Sequence, residues 1–99
     1  MSKVTFVSRM NVKEGREAEF VRRCTALAEV VHRTERETLY YEFFRLREPR
    51  RYAIIESFAS AAAEAAHMNS QAVAEHGPGI LDCLVEPYVR EYLDPFVAP

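Results

Sequence analysis

The stretch Arg51–Ser70 reads RYAIIESFASAAAEAAHMNS and decides the fold. Its first half alternates. Tyr52, Ile54, Glu56 and Phe58 fall on one face of a strand, and Ala53, Ile55 and Ser57 on the other. Its second half is a helix of small side chains, which Ser60 can cap with Glu64 one turn later. Two residues stand out. Glu56 is a carboxylate within a run that otherwise reads as buried. His67 follows Ala65 and Ala66 on a helix whose side chains are nearly all methyl groups. An acid and an imidazole in apolar surroundings, close in sequence, are the leading site candidates.

Working outward, the turn Glu48-Pro49-Arg50 joins this strand to an earlier one, Thr38–Arg47. Leu39, Tyr41, Phe43 and Arg45 share one of its faces; Tyr40, Glu42, Phe44 and Leu46 share the other. Arg45, Arg47, Arg50 and Arg51 cluster at the hairpin. With Glu48 among them and no glycine-rich loop beside them, they read as a solvated tip. Before that, a helix spans about Arg16–Arg33 with the apolar stripe Phe20, Cys24, Leu27 and Val31. The first strand is Lys3–Val12, with Val4, Phe6, Ser8 and Met10 on one side and Thr5, Val7, Arg9 and Asn11 on the other. After Ser70 a second helical piece, Gln71–His76, is expected to stop at Gly77-Pro78-Gly79. Ile80, Leu81, Leu84 and Val85 then form a last apolar helical face. Glu86–Leu93 reads as strand four, and the tail Asp94–Pro99 as irregular.

The order is β-α-β-β-α-β. It predicts an α+β, ferredoxin-like domain over residues 1–99, with a four-stranded antiparallel sheet and helices on one face. Strand two is aromatic on both faces, Tyr41 and Phe43 against Tyr40 and Phe44. A face so apolar needs cover that the chain has no residues left to build. The expected solution is a homodimer packed through the open sheet face.

Composition narrows the function classes. A net charge of −2 with interspersed signs lacks the basic face that nucleic-acid binding needs. No apolar run reaches the length of a membrane span. MSKVTFVSRM alternates as a strand does, and so does not read as a signal peptide. Cys24 and Cys83 lie on separate helical patterns and read as reduced thiols, consistent with a cytoplasmic protein. The three histidines make no familiar metal-ligand spacing.

The chain resembles the antibiotic biosynthesis monooxygenase-like domain of the dimeric α/β-barrel superfamily. The resemblance rests on Val12-Lys13-Glu14-Gly15-Arg16-Glu17 leading into a helix, on Leu39-Tyr40-Tyr41-Glu42, and on Tyr52–Ser70 with Glu56 two residues before an aromatic and Ala66-His67 beyond it. It implies two sheets facing each other in a homodimeric α/β barrel, with a pocket between sheet and helices in each subunit. It also implies oxidation of a quinol or polycyclic aromatic phenol without metal or flavin. The chain departs from the family in having Phe58 where tryptophan is frequent. His67 stands at the tryptophan-like position of the haem-degrading branch, His76 is out of register with that branch's ligand, and Asn11 is late in strand one. Haem degradation is therefore a minor alternative, and a non-catalytic dimeric module binding a small apolar metabolite is the principal one.

Such chemistry needs a base, a hydrogen bond to the developing oxyanion and a dry aromatic pocket. His67 has the pKa range of the base. Glu56 could orient that imidazole or act as the base itself. Tyr41, Tyr52 and Phe58 could wall the substrate, and Arg9 could stabilise an anion. Each residue also has a structural reading. His67 could cap or pack its helix, Glu56 could pair with Arg9, and the aromatics could be core.

Overall fold

Alternation along the central stretch does produce a strand, and the rest of the chain builds on both sides of it. The computed structural model describes residues 2–97; Met1, Ala98 and Pro99 lie outside the described residues. The elements are β1 (Val4–Asn11), α1 (Glu17–Thr34), β2 (Thr38–Arg45), β3 (Arg51–Phe58), α2 (Ala61–Met68), α3 (Gln71–Asp82) and β4 (Arg90–Tyr92). The four strands form one antiparallel sheet in the order β2-β3-β1-β4. This is the βαββαβ, ferredoxin-like layout, with its second helical segment divided into α2 and α3. The sheet is open, so a single chain closes no barrel.

The β1–β3 register pairs Phe6 with Glu56, Ser8 with Ile54 and Met10 with Tyr52. It therefore gathers Phe6, Ser8, Met10, Tyr52, Ile54, Glu56 and Phe58 on the face beneath the helices. The α1 stripe Phe20, Cys24, Leu27 and Val31 is buried there. The core falls into two clusters. The larger includes Met10, Phe20, Leu27, Tyr41, Tyr52, Ile54 and Ile80; the smaller is Phe6, Phe58 and Ala63. Glu56 lies between Ile54 and Phe58 on the same strand face, at the division between them.

Three expected boundaries move. First, α3 does not stop at Gly77-Pro78-Gly79 but runs through it to Asp82. A residue before proline is normally driven out of the helical region partly because its Cβ meets the ring; Gly77 has no Cβ. The continuation also buries Ile80, and Gly79 lets the Arg23 guanidinium of α1 lie where a Cβ would be. Second, strand four shrinks to three residues. Pro87 cannot donate to a ladder, and Val89 is left exposed. Third, the last apolar helical face is only half used: Leu84 is buried, while Leu81 and Val85 are exposed.

On the open face, Val7, Phe44 and Ile55 are half-buried and Tyr40 is exposed. Thr5 and Ser57 share a 2.8 Å hydroxyl hydrogen bond, and Arg9 pairs with Glu91. Cys24 and Cys83 are free, buried thiols, and burial pushes that of Cys24 up to about 12. No described helix is long and apolar enough to cross a membrane.

Candidate functional site

The site grows from the two residues of the central stretch. β3 aims Glu56 under the helices, across from Phe6 of β1 and Tyr41 of β2. Ser60 accepts a 3.1 Å hydrogen bond from the Ala63 N–H, which fixes the start of α2 and hence the rotation of His67 in its last turn. Both side chains are buried, His67 at 4% exposure and Glu56 at 6%. The imidazole sits between Tyr41 and Phe58, with each ring centroid 5.2 Å away.

The two ring nitrogens face different carboxylates. Nδ1 lies 2.9 and 3.0 Å from the two carboxylate oxygens of Glu35, at the C-terminal cap of α1. Nε2 lies 3.7 Å from Glu56 Oε1, too far for a hydrogen bond. A carboxylate can only accept, so the Glu35 contact assigns the proton of the neutral ring to Nδ1 and leaves the Nε2 lone pair facing Glu56. Glu35 is itself held by the Thr38 hydroxyl, which donates to Oε1 at 2.6 Å.

Glu56 is in the reverse condition. Its Oε1 is buried and has no hydrogen-bond partner among the described residues. Burial pushes its carboxyl up to about 7; nearby Arg90 pulls it down, and Glu64 and Glu35 push it further up. An unpartnered carboxylate in this setting prefers to hold its proton, so neutral pH leaves a mixture of both forms. Burial, and after it the charge of Glu56, likewise raises the Tyr41 hydroxyl well above its ordinary range.

Glu56 and His67 line a cavity of about 120 Å³ with Met10, Tyr41, Ile54, Met68, Leu81 and Tyr88 among the other walls. A larger groove of about 380 Å³ lies between α1 and β2, lined in part by Phe20, Tyr52 and Arg45. It shares Tyr41 and Phe43 with the smaller cavity but contains neither Glu56 nor His67. The acid and the imidazole are what could act on a ligand, so the smaller cavity is the candidate site despite its size. An outer groove of about 340 Å³ runs along the other side of His67, past Glu35, Thr38 and Ser70.

The residues singled out in the sequence disperse as follows. Glu56, His67 and Tyr41 come together in one cavity. Phe58 is fully buried, packs at a tilt against His67 and lines none of the three spaces. Tyr52 belongs to the larger groove and donates its hydroxyl to Glu17 at 2.7 Å. Arg9 is on the opposite face of the sheet, exposed and paired with Glu91. It therefore reaches no ligand in the cavity, and it does not pair with Glu56 either, because strand parity sends the two to opposite faces. Holding the imidazole falls to Glu35, not to Glu56. Glu35 was not legible in sequence: it is 32 residues from His67 and sits at a helix end among other charges. Tyr88 was legible only as a strand residue. No group of three or more His, Cys, Asp or Glu among the described residues could hold a metal ion.

A family model described as antibiotic biosynthesis monooxygenase matches residues 4–77. A crystal structure from Caulobacter crescentus CB15, named for the same family, superposes with a TM-score of 0.89 at 26% identity, covering 96% of this chain and 91% of that one. Another from Bacteroides thetaiotaomicron VPI-5482, also named for the family, gives 0.88 at 22% identity over 97% and 91%. A conserved protein from Methanosarcina mazei Go1 gives 0.85 at 21% over 94% and 92%. The last two likenesses speak to the fold alone. Among curated proteins, none matches the sequence significantly.

Proposed function

The chain belongs to the antibiotic biosynthesis monooxygenase family, and from that premise we propose that it is a cofactor-independent monooxygenase of a small phenol or quinol bound between sheet and helices. The observation that carries this reading is Glu56 Oε1: buried, unpartnered, and 3.7 Å from the Nε2 lone pair of His67 on the wall of a cavity. A substrate hydroxyl within about 2.8 Å of both atoms would donate to one and accept from the protonated form of the other. His67 Nε2 takes the hydroxyl proton, making the ring electron-rich enough to react with oxygen. Neutral Glu56 then hydrogen-bonds the oxyanion or the peroxide that follows. For a phenol, one oxygen atom enters the ring to give a quinone and the other leaves as water. The substrate supplies all four electrons, so the balance needs no further reductant.

The volume of the cavity supports a small substrate. An apolar cavity of about 150 Å³ holds benzene, so about 120 Å³ suits one ring once Met68 and Leu81, both exposed at the rim, shift aside. Polycyclic phenols need a wider opening, and a haem a much larger one. The same small volume favours the second reading, a non-catalytic module for a small apolar metabolite. For the open face we propose a second copy of the chain, because Val7, Phe44, Ile55 and Tyr40 offer an apolar patch at its centre. Sedimentation should give a dimer that Phe44→Glu dissociates.

Oxygen uptake with single-ring and polycyclic quinols, corrected for uncatalysed oxidation, tests the activity. Single-ring substrates should be consumed, with His67→Ala slowing turnover by roughly 100-fold or more. Binding of a single-ring phenol without oxygen uptake would leave the module.

A further inference from the structure

Glu35 has no part in the cavity itself, yet two elements converge to place its carboxylate. Its backbone N–H donates to the Val31 carbonyl at 2.9 Å, closing the last turn of α1. Three residues later, the first side chain of β2, Thr38, donates its hydroxyl to the same carboxylate at 2.6 Å. The α1–β2 connection thus works as a clamp on the imidazole. His67 forms a wall shared by two spaces: Nε2 faces the smaller cavity, and Nδ1 faces the outer groove where Glu35 lies.

We propose that Glu35 is the positioning residue of this site: from the groove side it fixes the Nδ1–H tautomer of His67, keeps the Nε2 lone pair aimed into the cavity, and balances the charge of the imidazolium when a proton is taken up. The cavity side cannot do this, because Glu56 is out of hydrogen-bond reach and the Tyr41 and Phe58 rings, tilted against the imidazole, make no hydrogen bond to it among the described residues. The proton moves in one step: the substrate O–H bond breaks, the Nε2–H bond forms, and Nδ1 keeps its own proton against Glu35. His67 is 3% exposed in its side chain and Glu35 17%, so the imidazolium meets solvent through Glu35 even while a ligand fills the cavity. The titratable groups facing these two residues are Glu56 from β3, Tyr41 from β2, Tyr88 ahead of β4, and Arg36 and Glu37 along the groove. The catalytic part rests on the proposed oxygenase reading; the tautomer part does not.

Nitrogen-15 spectra of the histidine rings, with the His67 signals identified by their loss in His67→Ala, test it without any substrate. Wild-type neutral His67 should carry its proton on Nδ1. Glu35→Gln should move part of the neutral ring's proton to Nε2, read from the two ring-nitrogen shifts, and Thr38→Val should move less of it. Glu35→Asp should restore part of the Nδ1 form. With an active substrate, Glu35→Gln should cut kcat roughly 10- to 100-fold while KM changes little. A wild-type ring protonated on Nε2, or a tautomer population unmoved in the folded variants, overturns the proposal. The expected tautomer together with no oxygen uptake on any phenol would instead retire the oxygenase and leave Glu35 its positioning role.

Discussion

On the open face of the sheet, Thr5 and Ser57 share a hydrogen bond and Arg9 pairs with Glu91. On the face beneath the helices, β1 and β3 carry Ser8 and Glu56, and neither Ser8 Oγ nor Glu56 Oε1 has a partner among the described residues. β1 and β3 therefore pair their side-chain hydroxyls on one face and leave a hydroxyl and a carboxylate oxygen without partners on the other. An unsatisfied buried group costs on the order of 1–3 kcal/mol. Of the two, Glu56 lines the smaller cavity and Ser8 does not, so under the proposed function it is the Glu56 oxygen that a polar ligand group would meet.

The contrast can be broken most forcefully at His67. His67→Ala should reduce turnover by roughly two to four orders of magnitude, while circular dichroism shows the fold retained. Full activity in that variant would move the chemistry elsewhere. Next is Glu56. Its carboxyl is raised from 4.5 to about 7, so below pH 4.5 it is protonated both folded and unfolded and costs nothing. As pH rises through about 7 the fold must hold a charge it disfavours, and stability is lost. Glu56→Gln should therefore be more stable than wild type at pH 8, by up to about 3 kcal/mol. Denaturant titrations should show that gain vanish near pH 4; a gain at pH 4 as large as at pH 8 would contradict the assignment. A smaller effect belongs to Ser57→Ala, which removes one partly buried hydrogen bond and should cost about 1 kcal/mol at all pH values. The smallest is Arg9→Ala, an exposed pair worth roughly 0–1 kcal/mol and weaker in high salt. A loss at Arg9 well above that range would show that the open face relies on its charges more than its exposure implies.

How much of the site was legible varies residue by residue. Glu56 was visible because a carboxylate broke a period-two apolar run, and His67 because an imidazole broke a helix of methyl groups. Strand parity already put Arg9 opposite Phe6 and Met10. Parity does not say which face the helices cover, however, and that left Arg9 free to be read as a ligand contact. Tyr52 and Tyr41 share parity with Glu56 and still part company, since Tyr52 lies two strand pairs further along and meets α1 instead of α2.

The order of elements, the buried stripe of α1 and the capping of α2 by Ser60 follow from the sequence alone, because each rests on residues two to four positions apart, where the chain's own periodicity dictates which side chains meet. Tertiary structure decided the rest: the passage of α3 through Pro78, the size of the cavity and the meeting of Glu35 with His67. Those depend on where a helix end comes to rest over another helix 32 residues on, and on the space left between packed surfaces, neither of which any local period encodes.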